Sequence, residues 1–387
     1  MSLSEKVILP GQTIGIIGGG ELGRMMALAA RAMGFRIAVL DPQPDSPCGQ
    51  VADYPIIGDY NDLDAIRQLA DFSDVITYEF ENIDAKALQW LCENAYVPQG
   101  KDILEITQDR IKEKAAIQQA GLEVVPFEIV ENGENLIGKI QALGGYPAVL
   151  KTTRGGYDGK GQSVLKSDED LAAASKLLSQ GQCVLEKWLS FEKEISVIVT
   201  RKANGEISVF PAAENIHKEN ILFKTIVPAL ISDSIEEEAV RMACGLADTI
   251  NLIGTVAVEM FVTDTGKIFI NELAPRPHNS GHYTIDACAT SQFEQHIRAI
   301  CNWTLGGTEL LQPAVMVNVL GEHMEMLIEE LPTPSDWKIH LYGKGEARTK
   351  RKMGHITIVG KSVENALNEI DESPVWAERK TAAGKVN

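Results

Sequence analysis

Two hydrophobic periods alternate through the first hundred residues. Thr13 to Ile17, Arg36 to Leu40 and Val75 to Tyr78 are short aliphatic or β-branched runs, while Glu21 to Met33, Leu63 to Ala70 and Ala85 to Glu93 carry apolar residues at helical spacing. Strand and helix exchanged in this order predict a parallel sheet covered by helices, because parallel neighbours need a crossover. Helical spacing resumes over Ile103 to Gln119, and Gly121 and Pro126 then mark a boundary. From Pro147 onward strands dominate. Glu194 to Arg201 and Glu206 to Pro211 flank Asn204-Gly205, a strong hairpin signal, so antiparallel sheet is expected here. Helices are predicted over Ser234 to Ile250 and Gln292 to Cys301. After Pro313 a β-rich stretch runs to about Val359, followed by a helix over Val363 to Ile370.

Length and charge narrow the classes. A chain of 387 residues exceeds what one hydrophobic core fills, so two or three domains are expected. No apolar run approaches the ~18 residues that would span a bilayer, and the start lacks a basic-then-apolar leader pattern, which points to the cytoplasm. With 36 basic against 54 acidic residues the formal charge is −18, which disfavours nucleic acid as a partner. An anionic ligand must therefore meet a local basic pocket. The six cysteines are scattered without a C-x-x-C and read as reduced core residues.

Three constellations carry chemistry. The first strand runs into Gly18-Gly19-Gly20-Glu21-Leu22-Gly23, a G-x-G-x-x-G pattern opening a helix, with Asp41 closing the second strand. Such a turn offers unpaired N–H groups to a phosphate, and it suits a dinucleotide, another phosphate, or close strand–helix packing alone. Glu21 and the exit from Asp41 into Pro42-Gln43-Pro44 weigh against NAD. The second is Lys151-Thr-Thr-Arg154-Gly155-Gly156-Tyr157-Asp158-Gly159-Lys160-Gly161-Gln162 between two strands, a glycine-rich hairpin whose amides and cations suit a triphosphate. The third is a strand pair, Thr255 to Val262 and Lys267 to Glu272. If Thr265-Gly266 is a two-residue loop, Glu259 stands directly opposite Glu272, with Cβ atoms ~5 Å apart. Two carboxylates so placed suit Mg²⁺. A loop one residue longer would slip the register and turn one of them to solvent.

Taken in order, Gly18 to Met25, Thr77 to Ile83, Gln108 to Lys114, Val149 to Gln162, Glu186 to Ser196, Ile270 to His282, Ser291 to Ala299 and Lys352 to Ile356 resemble the ATP-grasp ligases, and among them the N5-carboxyaminoimidazole ribonucleotide synthetases. The resemblance implies an α/β ATP-grasp fold in three units. These are a Rossmann-like substrate-side domain over 1–105, an ATP-grasp domain over 106–312 (lid about 123–190, larger part about 191–312) and a small β-rich domain over 313–387. It implies ATP contacts at Arg110, Lys151, Gly156 to Gln162 (Tyr157, Asp158, Gly159, Lys160 and Gly161 included), Glu186, Lys187, Trp188, Leu189, Glu194, His217, Asn271 and Glu272. Trp188 reads equally well as a core residue. Metal, Mg²⁺ or Mn²⁺, is implied at Glu259 and Glu272. Gly20, Glu21, Leu22, Glu79, Asn82, Lys344 and Arg351 would meet the ribonucleotide, with Tyr157, Asp158, Arg276, His278 and Lys344 around the reacting groups. The implied activity is ATP- and bicarbonate-dependent carboxylation of the amine of 5-aminoimidazole ribonucleotide through carboxyphosphate, in purine biosynthesis, by a homodimer.

Family members commonly carry Gln where Glu21 stands, and a Pro-Gly where this chain has Thr349-Lys350. His278, Asp158 and Tyr157 all remain open as the group that moves the amine proton. The basic run Lys344 to His355 reads either as a solvated turn or as a phosphate site. Rival readings are a NAD-dependent oxidoreductase, another ATP-grasp ligase with a different acceptor, and a silent nucleotide sensor.

Overall fold

Three sheets organise the computed structural model, which describes residues 6–131, 134–156, 160–333 and 335–377. The first is parallel and contains β1 (Thr13–Ile17), β2 (Arg36–Asp41), β3 (Tyr54–Ile57) and β4 (Val75–Tyr78) in the order β3-β2-β1-β4. Every residue of β1 is buried because helices cover both faces. Met25, Met26 and Ala30 pack on one side with Phe293 and Ile297 of the Gln292–Ile300 helix, and Ile66, Leu69, Leu88 and Leu91 pack on the other. The sequence pattern misses β3, whose four residues include Pro55. It forms at the sheet edge, where a missing N–H leaves no ladder bond unmade.

The second sheet is antiparallel: β5 (Phe127–Val130), β6 (Ala148–Thr152), β7 (Gln162–Leu165) and β8 (Cys183–Lys187), ordered β5-β8-β6-β7. Leu150, Leu165 and Leu185 form its core with Ala174 and Leu178 of the Leu171–Leu178 helix. The third sheet contains β9 (Lys193–Arg201), β10 (Ile207–Val209), β11 (Ala213–Lys218), β12 (Ile221–Val227), β13 (Gly254–Val262), β14 (Ile268–Ala274), β15 (Ala314–Leu320), β16 (Lys338–Leu341) and β17 (Lys352–Val359). Its order is β14-β13-β9-β11-β12-β15-β17-β16, with β10 beside β9 across the Asn204-Gly205 turn. The C-terminal strands thus extend the large sheet through the β12–β15 pair. No helix among the described residues is long and apolar enough to cross a membrane, and the six cysteines are unpaired.

One departure from the sequence pattern positions the site. The helical stretch Ile103 to Gln119 is two helices, Asp102–Thr107 and Arg110–Gln119, because the Asp109 carboxylate accepts the N–H groups of Ile111 and Lys112 and caps the second. That break turns Arg110 and the residues after it toward the third sheet.

His296 ties the first sheet to the third. Fully buried, it accepts the Thr255 N–H on Nδ1 at 3.1 Å and meets Thr77 Oγ1 through Nε2 at 2.8 Å. Burial pushes its pKa from 6.5 down to about 3. The unfolded chain therefore takes up the proton first, so this group's contribution is intact above the unfolded value and is lost as pH falls toward the folded one. From about pH 7 to about pH 5.5 it should cost about 1 kcal/mol of stability. Urea unfolding at both pH values checks this, and His296→Gln should show a shallower pH dependence than the native chain. An unchanged slope in the variant would assign the acid sensitivity elsewhere.

Candidate active site

Strands β13 and β14 place Glu259 directly opposite Glu272. The sequence count reaches the same pairing by a route the chain does not take. The loop is one residue longer than two: the Thr263 N–H donates to the Lys267 carbonyl at 2.9 Å, and Gly266 takes the left-handed position at φ 77°. Val262, Phe261 and Met260 consequently face Ile268, Phe269 and Ile270. A bulge at Asn271 then absorbs the extra residue and restores the carboxylate pair.

Neighbours hold these two glutamates in different states. Glu259 Oε1 lies 3.1 Å from His278 Nε2. The His278 Nδ1 accepts the Ser280 N–H at 3.3 Å, so the ring directs its Nε2 N–H at Glu259. Burial alone would raise the Glu259 pKa, but His278 outweighs it and holds the carboxyl below its ordinary range. Glu272 is 3.3 Å from Arg110 Nη1, and its side chain opens into the cavity with 43% exposure. Burial within the cavity walls, then the Glu259 charge, push its pKa up. Glu113, which the sequence reading overlooked, completes the cluster. It is buried, accepts the Leu273 N–H at 2.7 Å, and is pushed up by burial and by Glu272.

Arg110, Glu113 and Lys114 stand at i, i+3 and i+4 of one helix, the spacing that puts side chains on one face and the signal that would have found the latter two. Among the described residues no group of three or more His, Cys, Asp or Glu side chains is placed to hold a metal ion. Two opposed carboxylates, with the Asn271 amide beside them, are hard oxygen donors. That is the donor type Mg²⁺ prefers, so the pair would suit it.

The cationic wall lies on the second sheet. Lys151, at the end of β6, donates to Glu186 Oε2 at 2.7 Å, and Lys114 donates to Oε1 of the same carboxylate at 2.7 Å. Burial opposes ionisation of Glu186, but Lys151 and Lys114 outweigh it and bring the pKa down to about 2. The glycine-rich hairpin closes with the Thr152 N–H on the Gly161 carbonyl at 2.8 Å, and Gly156, Lys160 and Gln162 line the cavity. Tyr157, Asp158 and Gly159 lie outside the described residues. Lys187, Trp188 and Leu189 continue from β8 along the same wall, and Trp188 is 45% exposed there, which removes its core reading. His217 meets Glu194 at 3.0 Å; burial works to lower its pKa and the glutamate outweighs it, so the ring titrates above its ordinary value.

At the other end the glycine fingerprint is filled from within. The Gly19 N–H donates to Asp41 Oδ2 at 2.7 Å, the Gly23 N–H to Glu79 Oε2 at 2.6 Å, and the Gly20 N–H to the other oxygen of Glu79. Internal carboxylates hold the amides that a dinucleotide phosphate would need. Burial and the neighbouring Glu21 push Glu79 up to about 7. Glu21 itself pairs with Lys344 at 2.8 Å, which outweighs its burial and keeps its pKa low. Gly20 and Glu79 sit behind the wall that Glu21, Leu22 and Asn82 present. Arg276 lies on that wall, 2.7 Å from Glu81. Arg351 is not on it, and its guanidinium donates to the Glu346 carbonyl at 2.9 Å. One continuous cavity of about 870 Å³ joins the cationic wall, the carboxylate cluster and this third wall.

A glycine-rich cover, paired carboxylates and a parallel-sheet domain around one cleft define an ATP-grasp protein. Family models agree: an ATP-grasp domain matches residues 115–293, a ribonucleotide synthetase preATP-grasp domain residues 11–108, and a phosphoribosylaminoimidazole carboxylase C-terminal domain residues 314–369. The N5-carboxyaminoimidazole ribonucleotide synthase of Bacillus subtilis (strain 168) is 54% identical over 377 residues, 97% of this chain and 98% of that protein. That of Staphylococcus aureus (strain MRSA252) is 48% identical over 354 residues, 91% and 94% of the two. A crystal structure of an ADP complex of N5-carboxyaminoimidazole ribonucleotide synthetase superposes with a TM-score of 0.94 at 57% identity, covering 96% of this chain and 98% of that one. The Aspergillus clavatus synthase in complex with ADP and 5-aminoimidazole ribonucleotide superposes with a TM-score of 0.86 at 31% identity, covering 94% and 97%. The chain belongs to the N5-carboxyaminoimidazole ribonucleotide synthase family.

Proposed function

We propose that the chain uses ATP to activate bicarbonate and carboxylates the amine of 5-aminoimidazole ribonucleotide, releasing ADP and phosphate. The observation that carries this reading is the single cavity in which a cationic wall, a carboxylate pair and the Arg276 wall face one another. Bicarbonate is a poor electrophile. Transfer of the γ-phosphoryl group to one of its oxygens gives carboxyphosphate, whose phosphate is a good leaving group when the amine attacks. Arg110, Lys151 and Lys160 stand where they would neutralise the triphosphate and the developing charge. Glu259 and Glu272, with Asn271 beside them, would hold Mg²⁺, which supplies electrostatic stabilisation of the transferring phosphoryl group.

Arg276 offers a planar fork to the carbonate oxygens. His278, with its ring proton directed at Glu259, acts in this reading as an orienting donor rather than as the base that takes the amine proton. Glu21, Leu22 and Asn82 would face the ribonucleotide, and the hairpin between β6 and β7 would exclude water from carboxyphosphate. Phosphate release from ATP should depend on bicarbonate and rise strongly when 5-aminoimidazole ribonucleotide is added. A rate indifferent to the ribonucleotide would move the acceptor to another molecule and overturn the proposal.

A further inference from the structure

Glu186 carries two cations where its own charge needs one. Lys114 holds Oε1 and Lys151 holds Oε2, both at 2.7 Å, and the three side chains are only 2%, 12% and 6% exposed for Lys114, Lys151 and Glu186 respectively. Their positions differ in one respect. Lys151 and Glu186 line the cavity, whereas Lys114 does not; it lies behind them, its ammonium 5.3 Å from the Phe127 ring centroid.

We propose that Lys114 is a positioning residue for nucleotide binding, the fixed counter-ion of Glu186 that frees Lys151 to transfer its charge to an entering phosphate. This rests on reading the cavity as the ATP site. When the Lys151 ammonium turns from Glu186 to a phosphate oxygen, the carboxylate keeps Lys114, and a neutral buried pair remains. Without Lys114 the same movement would strip a buried carboxylate of its remaining cation, a costly state, so Lys151 would stay on Glu186 and the phosphate would lose it. The lysine that binds and the lysine that compensates are thereby separate residues on separate elements, β6 and the Arg110–Gln119 helix.

The test is calorimetric titration of the full chain with ATP and, separately, with adenosine, which keeps the base and sugar but has no phosphate. Lys114→Met should weaken ATP at least about tenfold and change adenosine less than about twofold, since the residue acts through phosphate charge. Lys114→Gln keeps a donor for Glu186 without the charge and should give the same split, which covers the case in which the Met variant does not fold. A loss shared equally by ATP and adenosine would mean that Lys114 only shapes the pocket, and unchanged ATP affinity would mean that Lys151 needs no partner; either overturns the proposal. A native chain that binds no ATP would instead remove the reading of the cavity.

Discussion

Glu272→Gln is expected to cut turnover by about a thousandfold or more at saturating ATP while leaving the fold in place. The side chain is isosteric and sits on β14 at the edge of the large sheet, open to the cavity, where its contact is Arg110 at 3.3 Å. Folding therefore loses little. The site loses one of two charges that face each other across the β13–β14 ladder. Protonation mimics the substitution, and the Glu272 pKa is raised by burial and by Glu259, so ionising both carboxylates without a cation between them is unfavourable. That repulsion is what a bound divalent ion would relieve. The variant should accordingly need more Mg²⁺ to reach half its maximal rate, as well as having a lower maximum. Thermal unfolding of native and variant chains in the absence of metal should give closely similar midpoints. Near-native turnover at ordinary Mg²⁺ would exclude Glu272 as a metal ligand.

Local pattern wrote β1, β2 and β4 into the sequence, because each is a nearly continuous buried run, whereas the edge strand β3 buries only Ile56 and left no such signal. It did not write in the partner of β15. Pairing across the chain depends on which edge is open in the folded molecule, and the open edge at β12 is what joins the C-terminal strands to the large sheet. The carboxylate pair was legible for a reason that two errors concealed. An extra loop residue and a bulge at Asn271 shift the register in opposite senses, so a count that ignored both arrived at the right partner. The glycine fingerprint has the opposite moral. Its residues specify a ring of amides but not their occupant: Asp41, which the pattern pairs with the motif, accepts the Gly19 N–H from within, and Glu79, at the exit of β4, is too distant in sequence for the motif to announce. Glu113 and Lys114 were hidden by the assumption of one long helix, since without the Asp109 cap their face has no defined direction.

Lys344→Ala is expected to raise KM for 5-aminoimidazole ribonucleotide by about thirtyfold or more and KM for ATP by no more than about threefold. Although it comes from a loop before β17, Lys344 is not a solvated charge: its side chain is 13% exposed, it grips Glu21 at 2.8 Å, and its ammonium stands 5.5 Å from the Tyr342 ring centroid. Glu21 in turn lines the cavity at the start of the Glu21–Ala32 helix. Removing the lysine would leave Glu21 unneutralised beside Glu79, whose pKa its charge already raises, and would turn this wall from near neutrality to net negative. A phosphate monoester carries nearly two negative charges at neutral pH, so such a wall would repel it. The Lys151–Glu186–Lys114 cluster, the proposed nucleotide end, lies on the second sheet and the Arg110–Gln119 helix with its own lysines, and should feel little of this change. Arg351→Ala is the companion measurement. Its guanidinium rests on the Glu346 carbonyl away from the wall, so a ribonucleotide-specific rise in KM would require the loop to turn it inward when substrate binds. If Lys344→Ala raised both KM values alike, or neither, the basic run from Lys344 to His355 would revert to a structural turn, and the phosphate of the ribonucleotide would have to be held by another wall.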